Sequence, residues 1–223
     1  MTLRNSPNLL LYNGIDISFS FVPLTSHVLS NYNSQALVGI LLGDGHIQKR
    51  SIKGNSRLMF TQSIKHEEYF YLVFNLFKDC CSNHYKPTIK SIVSNQTSNK
   101  YKFLTFVTLS LPCFNYYRDI YYPNGIKQVP LNIEDIFTEI SLAYWIMDDG
   151  SKQGKGIHLN TYGFNIECVE RLIEVLTKKF NLKCTIHLKN NKPRIFISAD
   201  SMNVLKIHVL NHIHPKMLYK LGL

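Results

Sequence analysis

Two aspartates in this sequence stand where an acid is least expected. Asp44 ends the run Leu37-Val38-Gly39-Ile40-Leu41-Leu42-Gly43-Asp44-Gly45, and Asp149 ends Leu142-Ala143-Tyr144-Trp145-Ile146-Met147-Asp148-Asp149-Gly150. Each run reads as a short apolar helix closing at Asp-Gly, where the partial negative charge of a helix C-terminus disfavours an anion by roughly 0.3–1 kcal/mol. One such Asp is an ordinary solvated residue beside a left-handed glycine cap. Two copies 105 residues apart suggest two similar halves, and a helix apolar on every side must be buried. If the two helices pack on each other, their carboxylates meet, and like charges at close range call for a cation. Mg²⁺, held by one or two carboxylates with water and phosphate, suits such a site, and Mn²⁺ or Ca²⁺ could take its place. The metal set is read as Asp44 and Asp149, with Gly43 and Asp148 beside them; Asp148 is a bystander that could substitute for Asp149 if its helix stopped a residue early.

Both runs resemble the LAGLIDADG motif of homing endonucleases, with Asp44 and Asp149 at the acidic position next to the terminal glycine. Ser141–Gly150, together with Lys192-Pro193 and the ending Met217-Leu218-Tyr219-Lys220-Leu221, is similar to single-chain, intron-encoded members, and the resemblance runs from about residue 34 onward. Gly43 replaces the usual small residue, and Tyr144-Trp145 put large aromatics where the tightest helix contact is expected. The resemblance implies an α+β fold of two α-β-β-α-β-β-α halves, whose antiparallel sheets form a saddle over DNA with the motif helices as its seam. It implies metal-dependent hydrolysis of phosphodiester bonds, one aspartate serving each strand. Lys127, three residues before Pro130, and Lys220 match the family's lysines by position, as groups that order water or stabilise the phosphorane; Gln62 is an extra for the first site. A maturase that binds intron RNA with the same fold is the rival, and a DNA-binding regulator with a dead nuclease site is the third reading. Retention of both acids favours the enzyme, because a pure binder has no need of two carboxylates aimed at a polyanion.

Composition agrees with a polyanionic partner. The 223 residues are 45% hydrophobic, and 25 Lys and Arg against 15 Asp and Glu give a net charge of +10. No apolar run reaches the roughly 18 residues needed to span a bilayer, and the N-terminus lacks a charged-then-apolar signal pattern, so an intracellular protein is expected. Abundant Asn, Ile, Lys and Tyr suggest an AT-rich genome, and with it a mitochondrial or other organellar matrix. The five cysteines are odd in number and show no C-x-x-C pairing, which makes them reduced packing residues. His208 and His212 lie at i, i+4 spacing but read as surface or packing residues.

The elements that must carry the acids follow in a repeated order. Residues 1–33 form an irregular extension with a short helix near Ser26–Asn31, 34–121 the first half, 122–140 a linker and 141–223 the second half. In the first half Ser34 caps the motif helix, strands follow at His46–Arg50 and Arg57–Ser63, a helix spans Lys65–Cys81, and strands at Thr88–Ser94 and Lys100–Ser110 flank a polar Asn95–Asn99 turn; Pro112 opens a helix to about Tyr121. The second half places strands at Ser151–Gln153 and Gly156–Thr161, a helix at Ile166–Phe180, strands at Cys184–Lys189 and Arg194–Ser198, and a last helix to about His212. Strand alternation leaves one face of each sheet for helices and one for a duplex. Base-edge contacts are expected from His46, Gln48, Arg50, Arg57, Thr61, Lys90, Lys102, Lys152, His158, Asn160, His187, Lys189 and Arg194, with phosphates met by the turns Lys53–Asn55 and Asn190–Lys192. The halves differ at most of these positions, so a monomer on a long, asymmetric double-stranded site is expected.

Overall fold

The two apolar runs are helices, and they bury each other. In the computed structural model, which describes residues 28–93 and 100–223, α1 (Asn31–Leu42) and α5 (Glu139–Asp149) pack side by side with every residue of Ala36–Leu42 and Ser141–Met147 buried. Their closest approach is backbone on backbone. A Cβ at Gly39 would lie 2.0 Å from the Ser141 carbonyl oxygen, and the Ser141 hydroxyl donates to the Gln35 carbonyl at 2.8 Å. Tyr144 and Trp145 therefore do not form the tightest contact. Tyr144 leans on Tyr32 and Tyr69, and Trp145 on Phe137, so both aromatics fill the flanks of the seam.

Each helix feeds a four-stranded antiparallel sheet. The first has the order β1-β2-β4-β3, from Gly45–Lys49, Ser56–Ser63, Lys100–Val107 and Thr88–Val93; the second has β5-β6-β8-β7, from Gly150–Gln153, Gly156–Asn160, Lys192–Ile197 and Cys184–Lys189. Helices α2 (Glu67–Phe77) and α3 (Asn115–Tyr121) serve the first sheet, α6 (Ile166–Phe180) serves the second, and α7 (Met202–Val209) packs on α5 and α6. Phe60, Tyr69, Phe70 and Phe106 make the aromatic core of the first half. In the second, α6 turns Cys168, Val169, Leu172, Val175, Leu176 and Phe180 inward; Asn165 caps its start, and left-handed Asn181 ends it.

Several boundaries differ from the sequence expectations. Ser30 caps α1, accepting from the Asn33 amide at 3.1 Å, while Ser34 spends its hydroxyl on the Ser30 carbonyl. The Lys65–Cys81 helix keeps its regular turns only over α2 and tightens into 3₁₀ turns at both ends. Asn190 and Asn191 both adopt positive φ, the geometry of a two-residue hairpin turn, so β8 begins at Lys192 and holds Pro193 within the ladder. The linker contains a short helix, α4 (Ile133–Ile136), and after α7 a run of 3₁₀ turns at Pro215–Leu221 carries Lys220 back to the seam. The expectations for residues 1–27, including part of the Ser26–Asn31 helix, and for Ser94 and the Asn95–Asn99 turn lie outside the described residues.

Because the seam tolerates no side chain at Gly39, Gly39→Ala is expected to cost about 2–3 kcal/mol by overpacking. Urea denaturation measures it directly, and a variant of unchanged midpoint contradicts the contact.

Candidate metal and nucleic-acid site

The ends of α1 and α5 meet, but the two acids are held differently. α5 runs through Asp149, whereas α1 stops at Leu42, two residues before Asp44. The Asp44 amide donates to Asp148 Oδ2 at 3.1 Å, and Asp44 Oδ2 accepts from Gln62 Nε2 at 2.8 Å. Gln62 is aligned in turn by its own Oε1, which accepts from the Ser63 amide at 2.8 Å. The strand registers pair Gly45 with Phe60 and Gly150 with Leu159, so Thr161 is the counterpart of Gln62; its hydroxyl donates to the Pro193 carbonyl instead. Neither terminal glycine is a left-handed cap. Gly150 has φ −70°, and a Cβ there or at Gly45 would press on the last turn of its own helix, at Ile146 or Ile40.

Each helix end carries a lysine, Lys127 half-buried and Lys220 buried. Lys127 Nζ donates to the Gly43 and Gly45 carbonyls at 2.9 Å each; Lys220 Nζ donates to the Met147 carbonyl and, at 2.8 Å, to that of Asp148. A cation at a helix C-terminus answers the unpaired carbonyls and the macrodipole together. Burial pushes Lys127 down to about 8 and lowers Lys220 as well, while the surrounding carboxylates oppose the shift in both. The acids move the other way. Burial and then the Asp44 charge raise Asp149 to about 7, and burial raises Asp44 against the pull of Gln62, Lys220 and Lys127. Asp148 is raised furthest, by burial and by Asp44.

These groups frame a cleft of about 280 Å³ lined by Leu42, Gly43, Asp44, Lys127, Asp149 and Asn160 among others. Its chemistry fits a divalent cation. Asp44 is exposed and Asp149 half-buried, yet desolvation raises both and the Asp44 charge raises Asp149 further; both neighbouring amines already serve carbonyls, so the charge balance favours a cation between the acids. Among the described residues no group of three or more His, Cys, Asp and Glu converges. A hard cation here would rely on Asp44 and Asp149 and complete its shell with water and phosphate oxygens. Of the wider ligand set, Asp148 accepts from Tyr69 Oη at 2.6 Å and from the Asp44 amide, and the Gly43 carbonyl accepts from Lys127.

The strand registers sort the expected DNA contacts. In the first sheet His46 pairs with Met59, Gln48 with Arg57, Thr61 with Thr105 and Lys90 with Phe103, all on the face away from Ile47, Leu58 and Phe60. The second sheet likewise turns His158, Asn160, His187, Lys189 and Arg194 away from Ile157, Leu159, Ile195 and Ile197. Two lysines belong elsewhere. Lys102 alternates with Leu104 and Phe106, and Lys152 pairs with Ile157 and lies against Gly222, so both take the helix side. Arg50 stands just beyond β1 in the hairpin turn. His158 sits on the outer face yet is only 3% exposed, beneath His187 and Phe196; its Nε2 meets His187 Nδ1 at 3.0 Å, and burial holds it neutral by pushing it down to about 4. Arg57 Nε donates to Gln48 Oε1 at 2.9 Å, and Tyr122 Oη meets His46 Nδ1 at 3.0 Å with Arg118 stacked on the Tyr122 ring. Tyr69, Tyr122 and Arg118 escaped the sequence reading because each sits on a helical or linker stretch that reads as packing.

Comparison with known proteins gives one family, whose members matched here are named both as endonucleases and as mRNA maturases. Residues 34–205 match the model of the LAGLIDADG DNA endonuclease family. The chain is 33% identical over 192 residues, 84% of its length and 72% of the relative's, to the cytochrome b mRNA maturase bI2 of Debaryomyces hansenii. It is 36% identical over 157 residues, 69% of its length and 98% of the relative's, to the intron-encoded endonuclease ai4 of Dictyostelium discoideum. The homing endonuclease I-WcaI bound to its DNA recognition sequence superposes with a TM-score of 0.81 at 31% identity, covering 87% of each chain. A complex of I-DmoI with DNA and Mn, 18% identical with a TM-score of 0.50 over 82% of this chain and 98% of that one, shares the fold.

The raised acid gives a pH signature for the metal-free protein. Asp149 ionises near 3.8 when unfolded and near 7 when folded. Its contribution to stability is therefore complete below the lower value and lost as pH rises through the upper. Asp149→Asn removes that loss, so at about pH 8 the variant is expected to melt above the parent, with the gap closing near pH 4. Thermal melts in chelator across that range check it; a gap that widens toward acid contradicts the assignment.

Proposed function

The chain belongs to the LAGLIDADG DNA endonuclease family, and on that premise we propose that it is a divalent-metal-dependent endonuclease cutting both strands of a long, asymmetric DNA site as a monomer. The observation that carries the reading is the pair Asp44 and Asp149 at the meeting helix ends, both raised by burial, each with a lysine at its own helix terminus. The halves at 34–121 and 141–223, joined by 122–140, supply one acid and one sheet each. Since α1 and α5 bury each other within the chain, no equivalent helix face among the described residues is left to recruit a second copy.

Hydrolysis of a phosphodiester needs an activated water and a neutralised leaving oxygen. A divalent cation at Asp44 and Asp149, Mg²⁺ or Mn²⁺, supplies that neutralisation when bound. The protein's own groups do the rest. Asp44 and Asp149 orient toward one strand each, Gln62 fixes the Asp44 carboxylate, and Lys127 and Lys220 hold the helix ends while their positive charge faces the phosphorane. Lys127, lowered to about 8, is also placed to order water in the cleft. Outer-face groups such as Gln48 with Arg57, Thr61, Lys90, Asn160, His187, Lys189 and Arg194 meet base edges, and the hairpin turns meet phosphates.

A second reading has one specific support, the likeness to a protein named as an mRNA maturase, and it makes binding of the chain's own intron RNA an additional activity. The intron-encoded relatives also favour expression inside an organelle. No helix of the described residues is long and apolar enough to cross a membrane.

A plasmid library probed with and without Mg²⁺ separates nuclease from binder. Asp44→Asn and Asp149→Asn are each expected to lower double-strand cleavage by roughly a hundredfold or more, the scale on which lost electrostatic stabilisation acts, while target binding persists. Either variant linearising its target at the parental rate removes that acid from catalysis. Affinity for the target is expected to fall about a thousandfold between 50 and 200 mM salt if six or more phosphates are contacted; a flat salt profile contradicts the saddle.

A further inference from the structure

We propose that Asp148 is a positioning residue: with Tyr69 it braces the backbone at Asp44 from the opposite helix, and so fixes the first cleavage site but not the second. The strand consequence rests on the nuclease reading above; the brace itself does not.

The geometry gives Asp148 two occupied oxygens. Oδ1 accepts from Tyr69 Oη at 2.6 Å, and Oδ2 accepts from the Asp44 amide at 3.1 Å. That amide needs a partner because α1 has already ended. Gly43 makes the last helical bonds, to the Gly39 and Ile40 carbonyls, and the chain then swings into β1. Tyr69 is buried, with its ring against Phe60 and Tyr144, so its hydroxyl cannot turn to water and must find an acceptor inside. Gly43 makes room for the arrangement. A Cβ there would lie 2.4 Å from Asp148 Cβ and 2.5 Å from its Oδ2.

Nothing reciprocal holds Asp149. The residue of α1 at the position of Asp148 is Gly43, which has no side chain to reach across. Asp149 is carried by its own helix, whose next amide, at Gly150, still bonds the Ile146 carbonyl. Gln62 adds to the same imbalance, since its counterpart Thr161 turns to Pro193. The site at Asp44 is thus assembled by contacts between elements, and the site at Asp149 by continuation of α5.

The test uses the full chain and two readouts. In metal-free protein, Asp148→Ala is expected to speed amide hydrogen exchange at Asp44 about tenfold or more, leaving Gly150 within about threefold. On a strand-labelled target, the strand whose cleavage is lost in Asp44→Asn is expected to slow about tenfold more than the other, so that nicked duplex accumulates. Asp148→Asn is expected to fall between the parent and Asp148→Ala in both readouts, because its one carbonyl oxygen can still accept from the Asp44 N–H while the Tyr69 hydroxyl loses its acceptor. Tyr69→Phe, which removes one bond and leaves both acids intact, is expected to slow the same strand more than the other. Overturning outcomes are equal slowing of both strands in Tyr69→Phe, an Asn variant as damaged as the Ala variant, or unchanged exchange at Asp44. Should the parent cut neither strand with Mg²⁺ or Mn²⁺, the exchange data still decide the brace, and the failure belongs to the nuclease reading.

Discussion

The close approach of α1 and α5 sets every other distance in the molecule. Ser141 meets the backbone at Gly39 with no side chain between, and this brings two helix ends together so that their acids share one cleft. Each helix is apolar on nearly all sides because one flank faces its twin and the others face sheet and helix layers. The sheets leave the helix ends through Gly45 and Gly150, so the seam also fixes how each sheet is aimed. A wider seam would separate the carboxylates and rotate the outer faces together.

The electrostatics of that junction are a standing conflict. Two helix C-termini meet with Asp44 and Asp149 beside them and Asp148 behind, and Lys127 and Lys220 oppose that charge. Their amines are committed to backbone carbonyls, which answers the helix ends but leaves the acids raised. Functional sites commonly store such a penalty. A bound cation would relieve it, and the feature that destabilises the protein without one would then be what prepares the site.

The outer faces of the sheets differ in how their polar groups are held. On the first, His46, Gln48 and Thr61 have side-chain partners in Tyr122, Arg57 and Thr105, which orders them before any ligand arrives. On the second, His187 stacks on Phe196 with neutral His158 beneath, an apolar and imidazole surface beside Arg194. Unlike surfaces of this kind suit unlike half-sites.

The sequence by itself determined the elements, their order and the two acids. Helical periodicity, turn residues and the repeated Asp-Gly endings are local signals, so α6 emerged at its observed bounds and the α-β-β-α-β-β-α order emerged twice. It also carried Lys127, Lys220 and Gln62, through the resemblance of their positions, though not what their polar atoms hold. Faces and partners were decided only by the tertiary structure. Lys102 and Lys152 went to the wrong side because a one-residue step in register exchanges the faces of a strand. His158 was placed on the correct face, but neighbours distant in sequence cover it. Asp148 read as a bystander that could stand in for Asp149; the fold is what brought Tyr69 and the end of α1 to its two oxygens. Sequence spacing specifies what a residue is next to along the chain; the partners that set its charge and its work come from 79 and 104 residues away.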